Sequence, residues 1–415
     1  MKKTGYITLL KNKTFLKVWL SQLISLVTAY MLNFVLMDRI YAATRSTIAV
    51  GFFWGFYILP SATLGPFSGV FIDYLSKKRI FVITNLLQAF VVLLYLGVNL
   101  HKIWPIYTIV LSYSFCDEFF NPAVAAFLPT IVKKNQLPAA NSLYLLTTQG
   151  CLIIGFMIGG ALLRLFSFTG LPFLVASIFL LMASGLGSLI PSDKPALKRK
   201  FQLGFKEFWA DLTEGYQFIK GEPKVLLPMG LLFGLQIILG IGLILLPSIS
   251  QEHLKIQFAD SSFAIVVPAL LGAILGGVLS ERLLKKYLKR FLIIGGLYLL
   301  GFSVLLLGFL PFLVGSPGNF VSLLAIILGI ACVGIYVPLQ TLVQEHTPFD
   351  IRGRVFGTLS TLITLAAAIP VLITITLVDF LGISLILFLI GGMLVLLASY
   401  AARGKYGIIP ADNRS

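Results

Sequence analysis

The chain has 415 residues, 58% of them hydrophobic and only 12% charged, with a mean hydropathy of +0.96. Soluble domains carry about 25% charged residues, so this shortage excludes an ordinary soluble enzyme, a disordered chain and a disulfide-rich secreted module. The net charge of +16 comes from 32 Lys and Arg against 16 Asp and Glu, and what it means depends on where those residues fall.

Twelve apolar runs follow one another between charged or Pro/Gly breaks. In chain order they predict helices at 15–37, 47–72, 79–99, 104–131, 141–164, 168–190, 224–248, 258–280, 290–311, 319–344, 355–378 and 382–402. Runs of about 20 apolar residues are long enough to cross a hydrocarbon layer about 30 Å thick. Barrel strands are about 10 residues long and alternate in polarity; these runs do neither. The expected fold class is therefore an all-α polytopic membrane protein. The first run is longer than a signal-peptide core and has no small-residue cleavage site before the next span, so it is read as a retained helix. Cys116, Cys151 and Cys332 all fall inside spans and lack metal-ligand spacing, so they read as small buried hydrophobes and no metal or cofactor is expected.

Placing the N-terminus in the cytoplasm leaves five basic residues on the far side: Arg39, Arg45, Lys102, Arg164 and Lys255. The other 27 lie in the inner segments, the bias expected when both termini face the cytoplasm. This assigns the basic charge to topology and to anionic lipid, and sets nucleic acid aside. The longest hydrophilic stretch, 191–223, divides the chain into an N-terminal half (1–190) and a C-terminal half (224–415). Within it, 201–220 alternates apolar and charged residues at helical spacing, which suits either a helix on the membrane surface or a solvated tether.

The halves echo each other. Asp73 follows Gly69 by four residues and precedes the basic pair Lys77-Lys78 by four. Glu281, 208 positions later, stands in the same relation to Gly277 and to Lys285-Lys286. A similar offset relates the loop after span 4 to the loop after span 10. Two parallel six-helix repeats are one established transporter architecture.

At these loops the sequence resembles the major facilitator superfamily. The stretch 69–79 is similar to its loop signature G-x-x-x-D-R-x-G-R-[RK]. It keeps Gly69, Asp73, Lys77 and Lys78, and has Tyr74 and Ser76 where Arg and Gly are preferred. Pro348, Arg352, Gly353, Arg354 and Val355 resemble the P-x-x-x-R-G-R-V loop of a branch with macrolide-efflux, enterobactin-exporter and lysophospholipid-transporter types. So does the run from Asn121-Pro122 through Asn135 to Asn141-Ser142. The resemblance implies two pseudo-symmetric six-helix halves with spans 1, 4, 7 and 10 lining a central cavity. It also implies that Asp73 docks at the positively polarised start of span 11. Lys77, Lys78 and Arg79 would partner that dock, with Arg352 and Arg354 at the start of span 11. Glu281 and Arg282 would make the symmetric contact with the start of span 5. Gly155, Gly159 and Gly160 resemble part of the family's antiporter motif, with Phe156 where proline stands. Small residues at that spacing permit close helix packing in any case.

Most acids, and His101, His253 and His346, fall in predicted loops. Asp117-Glu118 does not. The pair sits in the middle of span 4, where a charge costs at least about 2.5–3.5 kcal/mol and ordinarily faces a cavity or a partner. Burial disfavours the charged form and adjacency adds repulsion, so the pair is a candidate for exchanging protons. Ser114 and Asn121 lie at helical spacing from Asp117. The corresponding stretch of span 10 is wholly apolar, so fold symmetry alone does not demand these acids. The alternative is a hydrogen-bonded pair packed against another span. Asn33, Gln22, Gln236 and Gln340 are further cavity-lining candidates. Asp38-Arg39, at the outer end of span 1, reads as an ion pair or an outer gate.

No phosphate-binding G-x-x-x-x-G-K-[ST], G-x-S-x-G or H-E-x-x-H motif occurs in the sequence. A membrane enzyme and a transport-silent receptor are therefore remote alternatives. The expected function is a monomeric secondary transporter in a bacterial-type cytoplasmic membrane, exporting amphipathic small molecules in exchange for protons. A lysophospholipid transporter or facilitative uniporter is the alternative.

Overall fold

A computed structural model describes residues 9–97, 103–133, 136–166, 170–191, 213, 216–313, 318–348 and 352–403. Among them there is helix and no strand. In lipid every backbone polar group must be satisfied within the span, and only helices or closed barrels achieve that. The helices are α1 (Lys13–Thr44), α2 (Thr47–Tyr74), α3 (Lys77–Leu94), α4 (Trp104–Ile131), α5 (Leu137–Phe166) and α6 (Leu171–Ser188). They continue with α7 (Pro223–Ser248), the short α8 (Phe258–Ser261), α9 (Val267–Lys286), α10 (Lys289–Leu313), α11 (Gly318–His346) and α12 (Arg352–Arg403). Gly382, at φ 73° and ψ 159°, breaks α12 into the last two spans. That backbone conformation is open to glycine and strained for other residues. α8 and α9, joined by a π-helical turn at Ser262–Val266, together make the eighth span.

The predicted helices therefore exist, with shifted ends. The first runs seven residues past its predicted end, so Asp38 and Arg39 sit inside its last two turns. The helix of the eleventh span starts at Arg352, slightly ahead of its predicted start. The first helix, α1, is capped by Asn12, whose Oδ1 accepts from the N–H groups of Thr14 and Phe15 at 3.1 and 3.3 Å. Most of the predicted hydrophilic linker, including the amphipathic stretch 201–212, lies outside the described residues.

Two compact units divide the chain. One comprises Met1–Arg45 with Phe52–Leu203, the other Ser46–Gly51 with Gly204–Ser415. In the first, α1 packs against α5 and α6, and α3 against α4 and α6. Short polar side chains tie these pairs across lipid-compatible interfaces. Ser21 donates to the Ala183 carbonyl (2.8 Å), Ser184 to that of Val82 (3.0 Å) and Trp19 Nε1 to Thr147 Oγ1 (2.7 Å). In the second unit α9 packs on α11, and α10 on α11 and α12. Leu232, Leu297, Leu300, Leu339, Val343, Val355 and Leu394 form its core.

The outward faces are as apolar as the cores. Phe90, Leu165, Leu396 and Phe312 are among many large hydrophobes left exposed. A soluble protein rarely carries so continuous an apolar surface. Trp104 (76% exposed) and Tyr400 (68%) stand near span ends, where amphipathic rings favour the membrane interface. Eight helices among the described residues are long and apolar enough to cross a membrane by themselves. This is a multi-span membrane protein.

Candidate functional site: an acid in the fourth span

Asp117 lies midway along α4 and turns into the interior of its own six-helix unit. Gln88 of α3 donates from Nε2 to Asp117 Oδ1 at 2.9 Å and, at 3.3 Å, to the Tyr113 carbonyl. The Tyr57 hydroxyl of α2 makes a second hydrogen bond to the carboxylate, and Asn33 of α1 hydrogen-bonds Tyr57 in turn. The amide of Asn33 is the donor that leaves the phenol proton for Asp117. Ser114, one turn from Asp117, donates to the Tyr57 carbonyl and fixes α2 against α4. Three helices thus meet on one carboxylate, and Asn33 of a fourth stands behind Tyr57. A charged acid can sit there because both donors serve its oxygens, which an apolar wall would deny it.

Two of the predicted residues, Asn33 and Asp117, are brought together, with Tyr57 as the bridge. Gln88 and Tyr57 are missing from the sequence-based candidates. Gln88 was visible as an amide within the apolar run of α3, while nothing local distinguishes Tyr57 from the many other aromatic residues. Glu118 is half-buried beside Asp117, about 100° further round the helix, and so aims elsewhere. The Asn121 side chain lies outside the described residues, as do those of Asp73, Glu281, Arg352 and Arg354. Their backbones fall at the end of α2, inside α9 and at the start of α12. Lys77 is buried in the first turn of α3, Lys78 half-buried and Arg79 exposed; Arg282 is exposed on α9.

Gln236 and Gln340 belong to the second unit, on α7 and α11. Gln340 Oε1 is buried with no hydrogen-bond partner among the described residues, and the same holds for Gln22 Nε2 in the first unit. Asp38 is half-buried and feels the charges of both Arg39 and Arg45, so the predicted pair is a cluster of three. His253 corrects its loop assignment. It closes a π-helical turn, is buried, and places Nε2 2.9 Å from the Leu307 carbonyl and Nδ1 3.5 Å from Ser384 Oγ. His101 lies outside the described residues, and His346 ends α11. Cys116 and Cys151 are buried and Cys332 is half-buried.

The small residues of the antiporter-like stretch act through packing. A Cβ on Gly155 would stand 2.6 Å from Tyr30 Cβ and 2.7 Å from the Val27 carbonyl. Phe156, in the proline position, packs its ring on Phe34 at 5.3 Å and on Tyr30 at 6.4 Å. That stretch is the seam between α1 and α5.

Twelve spans in two six-helix units, with an acid held at the middle of one span, define a polytopic membrane transporter rather than an enzyme. The profile of the Major Facilitator Superfamily matches residues 18–371, and the chain belongs to that family. It is 27% identical over 357 residues to the MFS-type transporter YfiS of Bacillus subtilis (strain 168), spanning 84% of this chain and 82% of that one. It is 25% identical over 408 residues to Macrolide efflux protein A of Streptococcus pyogenes, spanning 92% and 94%. Among solved structures, the nucleoside transporter NupG superposes with a TM-score of 0.68 at 12% identity, covering 92% of this chain and 97% of that one. A bacterial homologue of the human lysosomal transporter Spinster, inward-facing and unoccupied, gives 0.65 at 15% identity, covering 94% and 90%. These two likenesses concern the fold.

Proposed function

We propose that this transporter exports amphipathic small molecules, macrolides among them, in exchange for protons, and that Asp117 carries the proton. The observation that supports the reading is the hydrogen-bonded station around Asp117. Transport without a nucleotide site must draw on an ion or substrate gradient. A proton carrier must be stable in both protonation states and shielded from bulk ions. Gln88 and Tyr57 serve the carboxylate form, and the surrounding span excludes other cations. Similarity to Macrolide efflux protein A along nearly the whole chain supports export and the choice of first probe. The charge bias supports cytoplasmic termini in a bacterial cytoplasmic membrane.

The test uses purified protein in liposomes, erythromycin as the probe and an imposed pH gradient. Asp117→Asn abolishes gradient-driven accumulation and preserves downhill erythromycin exchange; Glu118→Gln is the parallel variant for the neighbouring acid. Full accumulation in both single amides and in the double amide refutes coupling through this pair. Facilitated movement of a lipid or drug down its own gradient then becomes the better account.

A further inference from the structure

The Asp117 network does not end at Asn33. Next to it lies a cavity of ≈ 10 Å³, lined by Asn33, Tyr57 and Tyr113 together with Leu36, Val110 and Phe173. The Tyr113 side chain is buried and its hydroxyl has no hydrogen-bond partner among the described residues. Single waters require about 10–15 Å³ and two to four polar partners. Asn33, Tyr57 and Tyr113 are the polar residues of its wall, and the rest of the wall is apolar.

The cavity also has a direction. α1 and α3 run one way through the unit and α4 the other. From Asp117, the lining residues Tyr113 and Val110 climb α4 toward the bundle end where α1 carries Asp38 and Arg39. Val92 and Leu36 lie toward the same end of α3 and α1. Phe173, in the cavity wall, stacks on Tyr95 with ring centroids 3.8 Å apart. Tyr95 is fully buried, its hydroxyl also lacks a partner among the described residues, and the Arg39 charge acts on it. Buried tyrosine hydroxyls normally find a partner. Two such hydroxyls on one side of the half-buried Asp117 mark a polar path.

We propose that the cavity binds one water, and that this water links Tyr113 to the Tyr57 hydroxyl as a proton path to Asp117 from the Asp38–Arg39 end of the unit. The proposal rests on Asp117 as the proton carrier. Tyr57 has the capacity for the step: its oxygen accepts from Asn33 and from the water while its own proton goes to the carboxylate. The Tyr113 hydroxyl gives its proton to the water, the water gives one to Tyr57, and Tyr113 is reprotonated by a proton entering from the outer end. No carbon bond changes and no co-reactant is consumed. The titratable and charged groups around the path are Glu118 and Cys116 on α4, Tyr30 on α1 and the outer cluster of Asp38, Arg39 and Arg45. On the charge-bias topology this end faces outward, so protons reach Asp117 through the interior of one unit.

The experiment releases protons by a light flash onto purified protein in nanodiscs and follows the infrared carbonyl band of protonated Asp117, identified by its loss in Asp117→Asn. Tyr113→Phe removes one polar partner of the water, and Val110→Leu fills the cavity while leaving every polar group in place. Each variant slows the rise of the band about tenfold, the effect of losing one hydrogen bond from the path, and reaches the wild-type final amplitude. If both variants rise at the wild-type rate while the band remains Asp117-dependent, the path is wrong and the carrier reading stands. If no band depends on Asp117, the carrier reading falls, and the path with it. Radiolytic hydroxyl-radical labelling of Tyr113, lost in Val110→Leu, is expected as direct evidence of the bound water. A wild-type Tyr113 that stays unlabelled overturns the water site.

Discussion

Gly329 of α11 stands where α9 and α11 approach most tightly, and replacing it with alanine isolates the cost of parting them. A Cβ there would lie 1.9 Å from the Ala269 carbonyl oxygen, 2.7 Å from the Ala273 nitrogen and 2.9 Å from the Ala269 carbonyl carbon. All three atoms are backbone, so no side chain can swing away. Ordinary contact begins near 3.4 Å, so α9 and α11 must part by about 1.5 Å. Overpacking of this kind costs about 1–3 kcal/mol, and rigid backbone places it at the upper end. Alanine returns about 1 kcal/mol of helix propensity. The net loss is about 2 kcal/mol. Gly334, five residues further along the same helix, has nothing within 4 Å of its notional Cβ. Gly334→Ala therefore gains up to about 1 kcal/mol. For a unit of roughly 200 residues, about 2–4 °C per kcal/mol separates the two melting points by up to about 6–12 °C. Melting is read by reaction of a thiol dye with Cys116, Cys151 and Cys332 as they become exposed. Gly329→Ala melting at or above wild type refutes the close approach.

Asn12→Ala removes an N-cap and the donor to the Ile131 carbonyl at 2.9 Å, and is expected to cost about 0.5–2 kcal/mol in the same assay. By contrast Lys289–Glu345, a 2.6 Å pair whose glutamate side chain is 48% exposed, contributes little; Glu345→Gln changes stability by less than about 1 kcal/mol. Single cysteines at 2, 200 and 410, in a background without native cysteines, label only from the cytoplasm, and labelling of any one from outside overturns the topology. Asp73→Asn is expected to shift spin-label distances between the halves toward the inward-open state; unchanged distances with normal transport reduce Asp73 to a topology marker.

Span number and type were determined by the sequence because lipid forces each crossing segment to satisfy its backbone alone. Length and hydropathy, both local properties, then suffice. The repeat of Asp73 and Glu281 and the acid in mid-span were equally local. Helix faces were not. In a soluble helix the apolar stripe shows which side is buried, but here lipid and core are both apolar and the stripe is lost. Nothing along α4 says that Asp117 turns into its own unit, toward a glutamine 29 residues away and a tyrosine 60 residues away. Only the packing of α2, α3 and α4 decides that. The same holds for His253, a loop residue by hydropathy that a π-helical turn swings against α10 and α12. Partners far apart in sequence meet because helices cross, and crossing is a property of shape that composition does not encode.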